Sequence, residues 1–118
     1  MKIIVCGGRT YFDKEFIFQT LNEINQNQKI TTLITGDAPG ADSLAISWAK
    51  ENKINYIVYR AIWDMYGNAA GPIRNEKMIK DNNDAEMLIA FSGGRGTKNA
   101  VLLAKKYNLK IKNMEVKK

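Results

Sequence analysis

Nine glycines and four arginines carry most of the chemistry legible in this 118-residue chain. The glycines fall in four short segments: Gly7 and Gly8; Gly36 and Gly40; Gly67 and Gly71; Gly93, Gly94 and Gly96. Both prolines, Pro39 and Pro72, fall there too, and three of the four arginines (Arg9, Arg74 and Arg95) lie in these segments or at the start of the helices they lead into. Glycine lets backbone N–H groups approach an anion closely, and a helix N-terminus adds a favourable dipole. The guanidinium fork suits bidentate binding of phosphate or carboxylate. Together they predict a phosphate- or nucleotide-type site. Ordinary turns account for one or two glycines per segment, and account less well for GDAPGAD and SGGRGT. Four carboxylates, Asp37, Asp42, Asp64 and Glu76, lie in or near the same segments. Asp42 would either touch a ligand or serve the dipole of its own helix. Glu76 reads either as solvated or as catalytic.

What is missing narrows the chemistry further. The chain has no histidine, which excludes a Ser-His-Asp triad, a Cys-His pair and histidine-ligated zinc. Cys6 is the single cysteine, so there is no internal disulfide or CxxC metal site, and Cys6 reads as a buried thiol in a reducing cytoplasm. No metal or cofactor is expected.

The glycine segments each follow a run that reads as a strand. The runs are Lys2–Cys6, Thr31–Thr35, Asn55–Tyr59 and Glu86–Phe91, with a fifth at Leu109–Lys112. The first four are near-continuous apolar stretches, as expected of parallel strands covered on both faces. The fifth alternates apolar residues with Lys110 and Lys112, the pattern of a guarded edge. Between them lie four helical patterns. Asp13 is expected to cap a helix from Lys14 to about Gln26, with Ile17, Leu21 and Ile24 inward. Ala41, Leu44, Ala45, Trp48 and Ala49 form the clearest amphipathic stripe. Pro72 is expected at the first position of a helix running to about Lys80 with Ile73 and Ile79, and Thr97 is expected to cap the last one, with Val101, Ala104 and Tyr107 inward. Alternating strands and helices predict a three-layer, Rossmann-like α/β/α fold with a mostly parallel five-stranded sheet. In such a sheet the glycine segments share the edge at which ligands bind. The segment from Arg60 to Gly71 is long for a connection, and Trp63 and Tyr66 within it read either as a lid or stacking wall or as packing on the core. Tyr11 has the same two readings.

Length and composition fit one globular domain over residues 1–112 with a basic tail over 113–118. The apolar start, Ile3 to Cys6, is far too short for a signal peptide or a membrane span, and no membrane partner is expected. The net charge of +6 is uneven: residues 95–118 hold eight lysines and arginines against Glu115 alone. Nucleic-acid binding through this region is one reading, and solvated lysines are the other. The region has no interleaved pattern of aromatic residues for stacking.

In order along the chain stand GGRTYFD (7–13), TGDAPGAD (35–42), Trp63 with AGPIRNEKM (70–78), and FSGGRGT (91–97). With these motifs the chain resembles the SLOG superfamily of Rossmann-like nucleotide-binding domains, and most of all its short stand-alone bacterial and phage members. That superfamily also holds Lonely-Guy-type phosphoribohydrolases, the DNA-processing protein A and sensors of nucleotide signals. The resemblance implies a phosphate cradle at Gly93, Gly94, Gly96 and Thr97. It implies an anion-binding Arg74 beside Asn75, a second wall from Gly36, Gly40, Ala41 and Asp42, and completion by Gly8 and Arg9. It also implies a homodimer.

One departure bears on activity. The phosphoribohydrolase pattern PGGxGTxxE has Ser92 at its proline and Ala100 at its glutamate. An alanine does no acid–base chemistry, so the expectation is a cytoplasmic protein that binds a nucleotide-type small molecule, sensing or sequestering it. The alternative is a nucleotide N-glycosidase releasing base and ribose phosphate, with Arg74, Glu76 and Asp42 as its catalytic residues.

Overall fold

The structure, a computed structural model, describes residues 1–114. Its strands are β1 (Lys2–Cys6), β2 (Thr32–Gly36), β3 (Asn55–Tyr59), β4 (Met87–Ala90) and β5 (Ile111–Asn113). Its helices are α1 (Lys14–Asn27), α2 (Ala41–Glu51), α3 (Trp63–Tyr66), α4 (Ala70–Asp81) and α5 (Arg95–Lys106), with a 3-10 turn at Gly67–Ala69 before α4. All strand pairs are parallel, in the order β3-β2-β1-β4-β5. The fold is therefore the Rossmann-like α/β arrangement expected.

Period-two alternation divides the core between the two faces of the sheet. Ile3, Val5, Leu33 and Ile89 pack with Ile17 and Leu21 of α1 and Ala45 and Trp48 of α2. Ile4, Cys6, Ile34 and Leu88 pack with Met78 and Ile79 of α4 and Ala100 and Ala104 of α5. Trp48 is wholly buried, and its indole N–H donates to Asn22 Oδ1 at 2.8 Å. Asp13 caps α1 as expected, its Oδ1 accepting from the Phe16 N–H at 3.1 Å.

Several expectations need correction. β3 is apolar enough to read as buried on both faces, yet it is an edge strand with Asn55, Tyr56 and Ile57 exposed. Composition cannot tell an edge from a centre; the order of crossovers decides it. The fifth strand starts at Ile111 instead of Leu109, because Asn108 turns through φ 61° and the Leu109 N–H is spent on Ala104 O, closing α5. It runs on through Asn113, and the remainder of the expected tail, residues 115–118, lies outside the described residues. Pro72 is the third residue of α4, where its missing N–H would have had no intrahelical partner. Ile73 on the same helix is exposed. Thr97 does not cap α5: the cap position belongs to Gly94, and Thr97 lies within the first turn. The long 60–71 connection is not a bare loop but α3 followed by the 3-10 turn, with none of its Trp63–Ala69 residues buried.

This topology fixes where the glycine segments meet. β1 is followed by β2 on one side; after β3 the chain crosses back through α4 to β4 on the other. The crevice beyond the carboxyl ends of β1, β2 and β4 is the switch point of the sheet. No helix among the described residues is long and apolar enough to cross a membrane.

Candidate functional site

Gly8 joins the three loops that converge at the switch point. Its N–H donates to Ser92 O at 2.9 Å, and its carbonyl accepts from Tyr11 N–H at 3.2 Å and Ala41 N–H at 3.1 Å. Gly40 is forced at its position twice over: its φ is +80°, and a Cβ there would overlap the Gly8 carbonyl. Gly40 and Ala41 therefore hold Gly8 in place and do not themselves line the cavity that opens here. Gly93 packs against Thr97 and the Gly8 amide, also off the cavity wall.

The cavity has a volume of about 560 Å³. Of the residues expected at the site, it brings together Gly8, Arg9, Gly36, Asp42, Arg74, Asn75, Gly94, Gly96 and Thr97. Trp63 and Arg95 also reach it. Arg9 lies over the Trp63 ring, 5.8 Å from its centroid, so α3 forms one wall.

Arg74 is aimed by its neighbours. Its Nε donates to Asn75 Oδ1 at 2.8 Å, and its Nη1 donates to Asp37 Oδ1 at 3.0 Å and to Tyr59 O at 3.4 Å. The guanidinium crosses Gly36 so closely that a Cβ there would overlap Nη1. Asp37 thus serves as the anchor of Arg74 and is held in turn by the Ala61 N–H at 3.2 Å. Asn75 is buried, and its Nδ2 donates to Gly96 O at 3.2 Å and Asn99 Oδ1 at 3.1 Å. It ties α4 to the first turn of α5.

Asp42 is 5% exposed, with its Oδ2 accepting from the Ala38 N–H at 3.2 Å. Burial pushes its carboxyl up to about 6, against the opposing pull of Arg74 and the hydrogen bonds from Ala38 and Thr35. Cys6 behaves as expected of a buried thiol: burial, with the Asp42 charge adding to it, pushes it up to about 12. Glu76 is not brought into the cavity; it faces Lys106 of α5 at 3.7 Å, half-exposed. Asp64 likewise is not among the cavity residues. Tyr11 packs on Phe91, ring centroids 5.7 Å apart, which fixes the first loop to the core.

Ala100 does line the cavity. The position where the phosphoribohydrolase pattern has its glutamate therefore faces the site and carries a methyl group. Asn99 and Asn68 also line it and were not expected. Asn99 was findable, because Gly96, Asn99 and Ala100 share one helix face at i, i+3 and i+4. Asn68 carries no such signal, since its place depends on how α3 folds back.

The N-termini of α2 and α5 have no side-chain cap, in contrast to α1. The first N–H of α2 is taken by Gly8 O. The first turn of α5 opens on the cavity at Arg95, Gly96 and Thr97, which is suitable for an anion.

The sequence profile of the YspA, cpYpsA-related SLOG family matches residues 1–66, more than half of the chain. The chain is also 28% identical over 120 aligned residues to the Gene 61 protein of Mycobacterium phage D29, an alignment covering 95% of this chain and 94% of that protein. No solved structure matches. The matched profile spans the first two loops, Asp42 and Trp63; Arg74 and the α5 cradle lie beyond it.

Proposed function

Because the chain belongs to the YspA, cpYpsA-related SLOG family, a family that points to nucleotide-related ligands or glycosidase-like activity, we propose that it binds a phosphorylated nucleoside or nucleotide-derived signal. The carrying observation is the start of α5: uncapped, glycine-lined, and open to a cavity that also holds the anchored Arg74. The phosphate sits on the first-turn amides of α5 near Gly94, Gly96 and Thr97, with Arg74 supplying the countercharge. The nucleoside fills the space towards Trp63. With Ala100 in place of a catalytic glutamate, the activity is binding, as in sensing or sequestering. Thermal unfolding with a nucleotide panel tests this. A ligand at 100 times its Kd adds about 2.7 kcal/mol, and Gly94→Ala removes the shift. A panel without response refutes the reading.

One observation favours a second reading. A buried carboxyl raised to about 6 inside the cavity, Asp42, has the character of an acid–base group. As an N-glycosidase the protein would use Asp42 where the phosphoribohydrolases use their glutamate. Chromatography of nucleoside monophosphates after incubation separates the two readings: release of base, lost in Asp42→Asn, favours the enzyme.

A further inference from the structure

A second groove, about 690 Å³, adjoins the cavity. Gly8, Arg9 and Gly94 border both spaces. The ridge between them is thus two glycines and one arginine: it is low, its Gly8 N–H is already spent on Ser92 O, and its positive charge comes from Arg9. The groove beyond differs in character from the cavity. Its charges are mixed: Arg9 and Lys14 against Asp13 and Glu15. Asp13 is committed to the Phe16 N–H, and the Lys14 ammonium lies 5.1 Å from the centroid of Phe18. No surplus positive charge remains there for a second anion. The groove does offer a ring. Phe12 is 89% exposed, while its neighbour Tyr11 packs inward on Phe91, the two rings tilted by 51°. The loop is pinned by Tyr11, so Phe12 is held outward against water beside a polar ridge.

We propose that the ligand is two-headed. One nucleoside occupies the cavity beside Trp63, a phosphate or pyrophosphate bridge crosses the Gly8–Arg9–Gly94 ridge, and a second, uncharged heteroaromatic unit stacks on Phe12. This rests on the nucleotide reading above and narrows it to dinucleotides. A free aromatic face accepts any base, so Phe12 contributes affinity more than base choice.

Calorimetric titration of the full chain tests this with three series: the four ribonucleoside monophosphates, the matching diphosphates, and symmetric dinucleotides carrying two nucleosides on one pyrophosphate. The diphosphates control for the second phosphate group. For the base that binds, the dinucleotide should be about tenfold tighter than the diphosphate, as expected for one stacked base. Phe12→Ala should close that gap, and the exposed position makes misfolding no explanation. A dinucleotide no tighter than its diphosphate, or a gap that survives Phe12→Ala, overturns the two-headed ligand and leaves the nucleotide reading standing. If no series binds, both fall.

Discussion

Gly94 and Gly96 differ in one respect from the glycines packed where the three loops converge, and that difference bears on function. A Cβ at Gly36, Gly40 or Gly93 would collide with the protein itself, whereas one at Gly94 or Gly96 would meet nothing. Packing therefore does not require glycine at these two positions. Gly96 even costs stability, as the second residue of α5. Gly96→Ala is expected to stabilise the protein by about 0.5–1 kcal/mol while weakening ligand binding, because the methyl group enters the space kept for phosphate. Urea unfolding and calorimetry on one variant check both halves, and unchanged affinity would remove the cradle. Asp42 gives a second prediction. The folded chain holds a proton that the unfolded chain releases between pH 3.8 and about 6. Its contribution to stability is full below that window and falls as pH rises through it, by about 2–3 kcal/mol. Asp42→Asn should remove that part of the slope, read as the difference between wild-type and variant urea midpoints across pH.

At the scale of elements, the site depends on α4 and α5 being held together at their N-terminal halves. Asn75 is the link, joining Arg74 to the Gly96 carbonyl and to Asn99. Asn75→Ala leaves those groups without a buried partner and should cost about 1–3 kcal/mol. It should also weaken nucleotide binding through the loss of Arg74 aim. Calorimetry against Arg74→Lys, which keeps the charge and loses the fork, separates aim from charge. The α1 cap is simpler: Asp13→Ala should cost about 1 kcal/mol by thermal unfolding. The helix and strand patterns were legible because each has its own period. Ile17, Leu21 and Ile24 are all buried as their spacing indicates. The helix starts were less legible. Proline at 72 and threonine at 97 are good starting residues, but both lie within the first turn, because the preceding 3-10 turn and Gly94 start those helices earlier.

Across the whole molecule the two tryptophans divide the reporting between fold and site. Trp48 is in the core, and Trp63, 46% exposed, is on the cavity wall. Ligand titration should change fluorescence through Trp63 alone. Trp63→Phe should therefore abolish the ligand-induced signal while keeping the unfolding transition reported by Trp48. The amino-acid sequence by itself determined the five strands, the four longer helices, the parallel sheet and the edge at which the glycine segments gather, because periodicity and turn chemistry are local; α3, only Trp63–Tyr66, is too short to carry a period. Glycine and arginine at strand ends also marked Arg74 and the 93–97 loop as candidates, while the phosphate-cradle role of that loop and the wall at Asp42 were implied by the resemblance to the SLOG superfamily. Only the tertiary structure decided which of these residues face the same space. Gly40 and Ala41 turned out to support Gly8, Asp37 to hold Arg74, and Glu76 to point to α5. It also decided that β3 is an edge and that Phe12 stands free beside a second groove. Such facts depend on the order of crossovers and on contacts between residues far apart in the chain, which no local pattern records.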